Sequence, residues 1–147
     1  MSESDLIKLY SSRILALAAD MPRTAEIEDA DAEVKKRAPL CGSTVTVRLC
    51  LKNGMVSNYS QNVKACALGQ AAASVVGRAI VGCTVEQVIT ARDQLKTMLK
   101  SDGPVPSVPF DGLEVLIPAR DYKNRHDSIL LTLQASVEAI EQIQSAA

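Results

Sequence analysis

Residues 44–66 read TVTVRLCLKNGMVSNYSQNVKAC, and the fold follows from them. Val45, Val47, Leu49 and Leu51 alternate with Thr44, Thr46, Arg48 and Cys50, the period of a strand with one buried face. Asn53-Gly54 is a strong hairpin signal, because both residue types accept the positive φ that a two-residue loop demands. Met55 to Lys64 therefore returns as the antiparallel partner. Counting from Asn53, Cys41 lies 12 residues back and Cys66 lies 13 forward, so the hairpin brings both cysteines to one end of the sheet. Two ligands of one soft-metal site require that placement, and two buried thiols can share it by coincidence; spacing alone leaves both readings open.

Downstream, Val63 to Ser74 reads VKACALGQAAAS, a strand end followed by helix formers without proline. Cys66 falls at the first turn of that helix. Unpaired N–H groups and the positive end of the dipole favour an anion there, so its thiol is expected to ionise more easily than a free one. The alternative is a small buried hydrophobe, a common fate of free cysteine. Ala67, Gly69, Ala71, Ala72, Ala73 and Ser74 allow close approach to a neighbour, and the helix should run to about Val81, with Gly82 as its stop. Thr84 with Gln87 forms a capping-box pattern that opens a second helix through Val85, Val88, Ile89, Leu95, Met98 and Leu99. Ser101 to Pro109 is a loop, Phe110 to Ile117 a short apolar element ended by Pro118, and Asp121 to Ser128 leads into a last helix from Ile129 to about Ile143.

Upstream, Leu6, Leu9, Ile14 and Leu17 recur at helical spacing, giving an amphipathic helix from about Asp5 to Ala19, with Ser4 as its N-cap and Met21-Pro22-Arg23 as its end. Thr24 to Asp31 lacks periodicity and reads as a loop. Ala32 to Arg37 is a first short strand, cut off by Pro39 and followed by a turn at Leu40-Cys41-Gly42-Ser43.

A chain of 147 residues fits one domain over 1–147, burying about 68–70% of the surface its unfolded form exposes. Sixteen basic residues stand against 17 acidic ones and no basic run exceeds Lys35-Lys36-Arg37, so nucleic acid is not an expected partner. The start MSESDL is polar and acidic and no stretch of 18 apolar residues occurs, which reads as a cytoplasmic chain with no membrane partner. Four cysteines then read as thiols or metal ligands rather than a disulfide framework. Four aromatics and no Trp leave little for a base-stacking platform.

Four segments, in order, resemble the NifU N-terminal/IscU/SufU type of iron–sulfur cluster assembly scaffold. Tyr10-Ser11-Ser12-Arg13 with Met21-Pro22-Arg23 resembles the family's Tyr-containing first helix followed by Asn-Pro-Arg. Cys41-Gly42-Ser43 resembles Cys-Gly-Asp, Gly54 to Cys66 resembles without a gap the strand leading to the second Cys, and His126-Asp127-Ser128-Ile129-Leu130 resembles His-Cys-Ser-Ile-Leu. The interval from Cys66 to Asp127 is similar in length to that of the SufU branch and longer than that of the IscU branch. The resemblance implies an α+β fold, a small, mainly antiparallel sheet of about three strands with helices packed on one face, and a surface metal site where strands and helices end. Two positions depart from the pattern: Asp127 stands at the third cysteine and Ser43 at the Asp.

The resemblance implies metal ligation by Cys41, Cys66, His126 and Asp127, holding a transient [2Fe-2S] cluster or Zn2+, with Cys66 as sulfur acceptor. His126, the one histidine, is a ligand, a general acid, or a surface or capping residue; Asp127 is a ligand or an N-cap. Ser43 reads as a turn residue, Arg125 as a charge-compensating or solvated side chain, and Cys50 and Cys83 as structural thiols. The implied activity is that of a scaffold or carrier rather than a turnover enzyme, partnered by a cysteine desulfurase and by iron–sulfur recipient or carrier proteins. The alternatives are a zinc-dependent sulfurtransferase of the SufU kind and a partner-binding module without a cluster.

Overall fold

The turn at Asn53-Gly54 forms as its composition demands. Both residues have positive φ, 55° and 74°, and β2 (Thr44–Lys52) pairs antiparallel with β3 (Met55–Lys64) from Lys52↔Met55 to Thr44↔Lys64. One irregularity interrupts the ladder, between Cys50 and Leu51. On the other side of β2, β1 (Ala32–Arg37) pairs antiparallel from Ala32↔Leu49 to Arg37↔Thr44, so the sheet order is β1-β2-β3.

A computed structural model describes residues 10–146. Besides the strands it contains α1 (Ser12–Ala19), α2 (Ala67–Ala79), α3 (Val85–Lys100), a 3-10 segment (Asp111–Asp121) and α4 (Lys123–Ala146). This is the expected α+β fold. Val45, Val47 and Leu49 are buried on the inner face, where α4 lies against β1 and β2. The far side of α4 packs on α2 and α3, so its buried residues, among them Ile129, Leu130, Leu133 and Val137, join the sheet and the helices in one core. Each such Val or Leu contributes about 1.5–3 kcal/mol by burial.

Small residues set how close α2 comes. Gly69, Ala71, Ala72 and Ala73 are buried on α2, and a Cβ at Gly69 would overlap the Ser128 hydroxyl of α4 and lie 2.9 Å from the Ala65 Cβ. α2 ends at Ala79 with Ile80 as its C-cap, before the expected stop at Gly82, which at φ 93° donates its N–H to the Val56 carbonyl of β3 at 2.8 Å. The capping box forms as read: Thr84 Oγ1 accepts from the Gln87 N–H at 3.1 Å, and the Thr84 N–H donates to Gln87 Oε1 at 2.8 Å. Cys50 points outward and donates to the Asp29 carbonyl at 3.5 Å. Cys83 is buried against the Ala79 carbonyl, and burial pushes its thiol up. Both fit the structural role read for them.

Three further boundaries differ from the sequence reading. The expected helix from Asp5 to Ala19 is not continuous: Ser11, at φ −58° and ψ 162°, caps a helix that begins at Ser12, its side chain accepting from the Ile14 N–H at 3.3 Å. The Ser4 cap and the residues from Asp5 to Leu9 lie outside the described residues. Pro118 does not end the apolar element but sits inside the 3-10 segment, since its fixed φ suits a 3-10 turn. The last helix begins at Lys123, not Ile129. Its opening residues Lys123 and Asn124 are polar and exposed, so apolar periodicity does not register them. That early start removes the N-cap reading of Asp127, which stands inside the helix. Among the described residues, no helix is long and apolar enough to cross a membrane.

Candidate functional site

β1 stops at Arg37, and the chain turns through residues 38–43 before β2. Two backbone bonds close the turn, Ala38 N–H to Ser43 O at 2.8 Å and Gly42 N–H to Ala38 O at 2.9 Å, with Gly42 at φ 72°. Cys41 is exposed on this turn, while Ser43 is only 4% exposed. At the other strand end, Cys66 is the N-cap residue of α2; its carbonyl accepts from the Gln70 N–H at 2.9 Å and its half-buried thiol makes no cap bond.

The two cysteines meet through two hydroxyls. Cys41 Sγ lies 3.1 Å from Ser43 Oγ, Ser43 Oγ lies 3.0 Å from Ser128 Oγ, and Ser128 Oγ lies 3.6 Å from Cys66 Sγ. Ser128, on α4 and 2% exposed, is thus the junction of the site. A hydroxyl has one proton to give. With Cys41 ionised, the arrangement that serves every group has Ser43 donating to the sulfur and Ser128 donating to Ser43, leaving the Ser128 oxygen free to accept from Cys66.

The Cys41 thiol is held below its ordinary range. Partial burial acts in the opposite direction, but the Ser43 hydroxyl and backbone N–H, the Ser128 hydroxyl and the positive charge of Arg125 together outweigh it. Thiolate therefore persists at Cys41 to lower pH than at an ordinary cysteine. The pH midpoint of iodoacetamide alkylation at Cys41 is expected below that of a free thiol, and Ser43→Ala is expected to move it upward. Peptide mapping of metal-free protein checks this, and coinciding midpoints in the two proteins would refute the role given to Ser43.

His126 and Asp127 are placed differently. His126 is 1% exposed, and its Nε2 lies 3.0 Å from both the Ala119 and Arg120 carbonyls, so Nε2 carries the hydrogen and donates. Its Nδ1 is buried without a partner, a bare lone pair. The ring borders a concavity with Leu99, Lys100, Asp102 and Arg120, and neither Cys41 nor Cys66 lines it. Asp127 is half-exposed on the first turns of α4. Among the described residues, no three of His, Cys, Asp and Glu are grouped as a metal ion would need. The arrangement brings together two of the four sequence-derived donors, Cys41 and Cys66, and fits sulfur chemistry more fully than a resident four-ligand metal.

Sequence reasoning gives Ser128 no role and favours Ser43 as a turn residue over a ligand. One signal was available: Ser128, Thr132 and Ser136 recur every four residues on the buried side of the helix, where their buried neighbours from Ile129 to Ile140 are all apolar.

The NifU-like N terminal domain model matches residues 9–126. The iron–sulfur cluster assembly scaffold protein IscU of Thermotoga maritima is 22% identical over 135 residues, which cover 92% of this chain and 94% of that protein. The crystal structure of a nitrogen-fixing NifU-like protein (N-terminal) from Brucella abortus superposes with a TM-score of 0.95 at 42% identity, covering 97% of this chain and 99% of that one. A putative iron–sulfur cluster assembly scaffold protein for the SUF system from Fervidobacterium islandicum has the same fold, with a TM-score of 0.81 at 18% identity over 91% of this chain and 98% of that one.

Proposed function

The chain belongs to the NifU-like N-terminal domain family of iron–sulfur cluster assembly scaffolds, and from that premise we propose that it accepts sulfur at Cys41 and holds a nascent iron–sulfur cluster as cargo through Cys41 and Cys66. The observation that carries this reading is the joining of two thiols, one beside each arm of the hairpin at its open end, through the Ser43 and Ser128 hydroxyls. Acceptance is assigned to Cys41 rather than Cys66 because Cys41 is exposed and rides a turn, where the Ser43 and Ser128 hydroxyls and Arg125 lower its thiol from the ordinary range.

In the transfer, the Cys41 thiolate attacks the sulfane sulfur of a donor persulfide. A Cys41–S–S bond forms, the donor's S–S bond breaks, and the donor thiolate leaves with the electron pair. Ser43 and Arg125 steady the attacking charge. A cysteine desulfurase is the partner whose chemistry supplies such a persulfide, and iron–sulfur carrier or recipient proteins take the product. Cys41 and Cys66 are the thiolate ligands of the cargo, a [2Fe-2S] cluster.

Trypsin separates the four cysteines, onto residues 38–48, 49–52, 65–78 and 79–92. After incubation with a cysteine desulfurase and cysteine, one added sulfur atom is expected on peptide 38–48, falling to background in Cys41→Ser. Sulfur on peptide 65–78 alone would overturn the assignment to Cys41. A colourless product after anaerobic loading with iron and sulfide would overturn the scaffold reading.

A further inference from the structure

We propose that Cys66 is a resolving thiol, which attacks the persulfide carried on Cys41, closes a Cys41–Cys66 disulfide and releases the carried sulfur as sulfide. This inference rests on the reading of Cys41 as sulfur acceptor and adds to it the step by which the sulfur leaves.

The two thiols are joined through two hydroxyls and differ in exposure. Ser128 Oγ lies 3.6 Å from Cys66 Sγ and 3.0 Å from the Ser43 hydroxyl that touches Cys41. Cys41 is exposed on a turn closed by two backbone bonds, where a bulky donor can reach it. Cys66 is half-buried and held at the head of α2 by the Gln70 bond to its carbonyl, less open to a bulky donor than Cys41 and joined to it through the Ser128 and Ser43 hydroxyls. Cys50, bonded to Asp29 on the outer face of the sheet, and Cys83, buried beside Ala79, stand apart from the pair.

The step balances. Cys41–S–SH and Cys66–SH give Cys41–S–S–Cys66 and H2S: the Cys66 sulfur bonds to the inner sulfur, the persulfide S–S bond breaks, and both hydrogens leave with the outer sulfur. Two electrons from the thiol pair reduce sulfane sulfur to sulfide, the oxidation state that an iron–sulfur cluster contains. Two equivalents of a small-molecule thiol then restore the pair by disulfide exchange, leaving as their own disulfide.

The test uses the full, chelator-treated chain, freed of excess reagent and without added thiol. Cys41 is loaded in parallel with inorganic polysulfide and with a cysteine desulfurase. Expected in both arms is sulfide release accompanied by linkage of peptide 38–48 to peptide 65–78. In Cys66→Ser and Cys66→Ala the linkage is expected to be lost and the Cys41 persulfide to decay about tenfold more slowly. The linked peptide is a readout that a merely structural role for Cys66 does not produce. If polysulfide gives release and linkage while the desulfurase loads nothing, the acceptor reading fails and the resolving chemistry stands. If the wild-type persulfide forms but persists as long as in the variants, or passes intact to peptide 65–78, the resolving role is overturned.

Discussion

Gly69→Val is expected to destabilise the protein by about 1–3 kcal/mol and to part the two thiols from the hydroxyl they share. The cause is distance, not backbone conformation. Gly69 lies in the first turn of α2, three residues after Cys66, where the helix crosses α4. A Cβ there overlaps the Ser128 hydroxyl and lies 3.1 Å from the Ser128 carbonyl oxygen, and the carbonyl, being backbone, cannot rotate away. The helices must separate or Ser128 must leave its place. In either case the contacts from Ser128 to Ser43 and Cys66, 3.0 and 3.6 Å, are lost. An alanine at a helical glycine ordinarily gains about 0.5–1 kcal/mol, which partly offsets the overlap; valine adds two methyl groups to the clash and gains less. Two measurements check the outcome: the urea midpoint should fall, and the pH midpoint of Cys41 alkylation should rise as Ser128 withdraws. A valine variant with both midpoints unchanged would show that the α2–α4 approach does not hold the site together.

The hairpin was legible because its signals are local. Alternation from Thr44 to Leu51 fixes which face is buried, Asn53-Gly54 fixes the turn, and together they bring the chain around Cys41 and Cys66 to one end of the sheet. What lies between the cysteines was not legible, because the partner comes from far along the chain: Ser43 and Ser128 are 85 residues apart. His126 shows the same limit. Its bonds are to backbone carbonyls of the 3-10 segment, and a carbonyl leaves no trace in side-chain identity. The start of α4 escaped for a third reason: an exposed polar turn carries no hydrophobic period, so the helix was read from Ile129 and Asp127 was given a capping choice that the fold does not offer.

Gln61→Leu is expected to cost about 3 kcal/mol, because several buried polar groups lose their partner at once, at about 1–3 kcal/mol for each group left unsatisfied. Gln61 is 1% exposed and its amide is used from both ends. Nε2 donates to the Pro22 carbonyl at 3.2 Å and the Ala73 carbonyl at 3.0 Å, while Oε1 accepts from the Tyr59 and Thr132 hydroxyls, each at 3.3 Å. One side chain of β3 thereby ties the segment after α1 to α2 and α4. The neighbourhood is shaped for it: a Cβ at Gly77 would lie 2.6 Å from Nε2 and 2.9 Å from Pro22 Cγ. Leucine matches the bulk but offers no donor or acceptor, so the loss is polar rather than a cavity. Tyr59→Phe is the comparison. Burial pushes the Tyr59 hydroxyl up, so it remains a donor, but Ser136 keeps its own bond to the Thr132 carbonyl at 2.7 Å when that hydroxyl is removed. Its cost should be nearer 1 kcal/mol. Because Tyr59 and Gln61 bond each other, the double variant should cost less than the two singles added. Urea midpoints of the three variants decide it. Strict additivity, or a Gln61→Leu protein as stable as the wild type, would mean that the amide only fills space. A coupled loss would mean that the Gln61 amide and the Tyr59 hydroxyl act with Thr132 as one buried network joining β3 to α4.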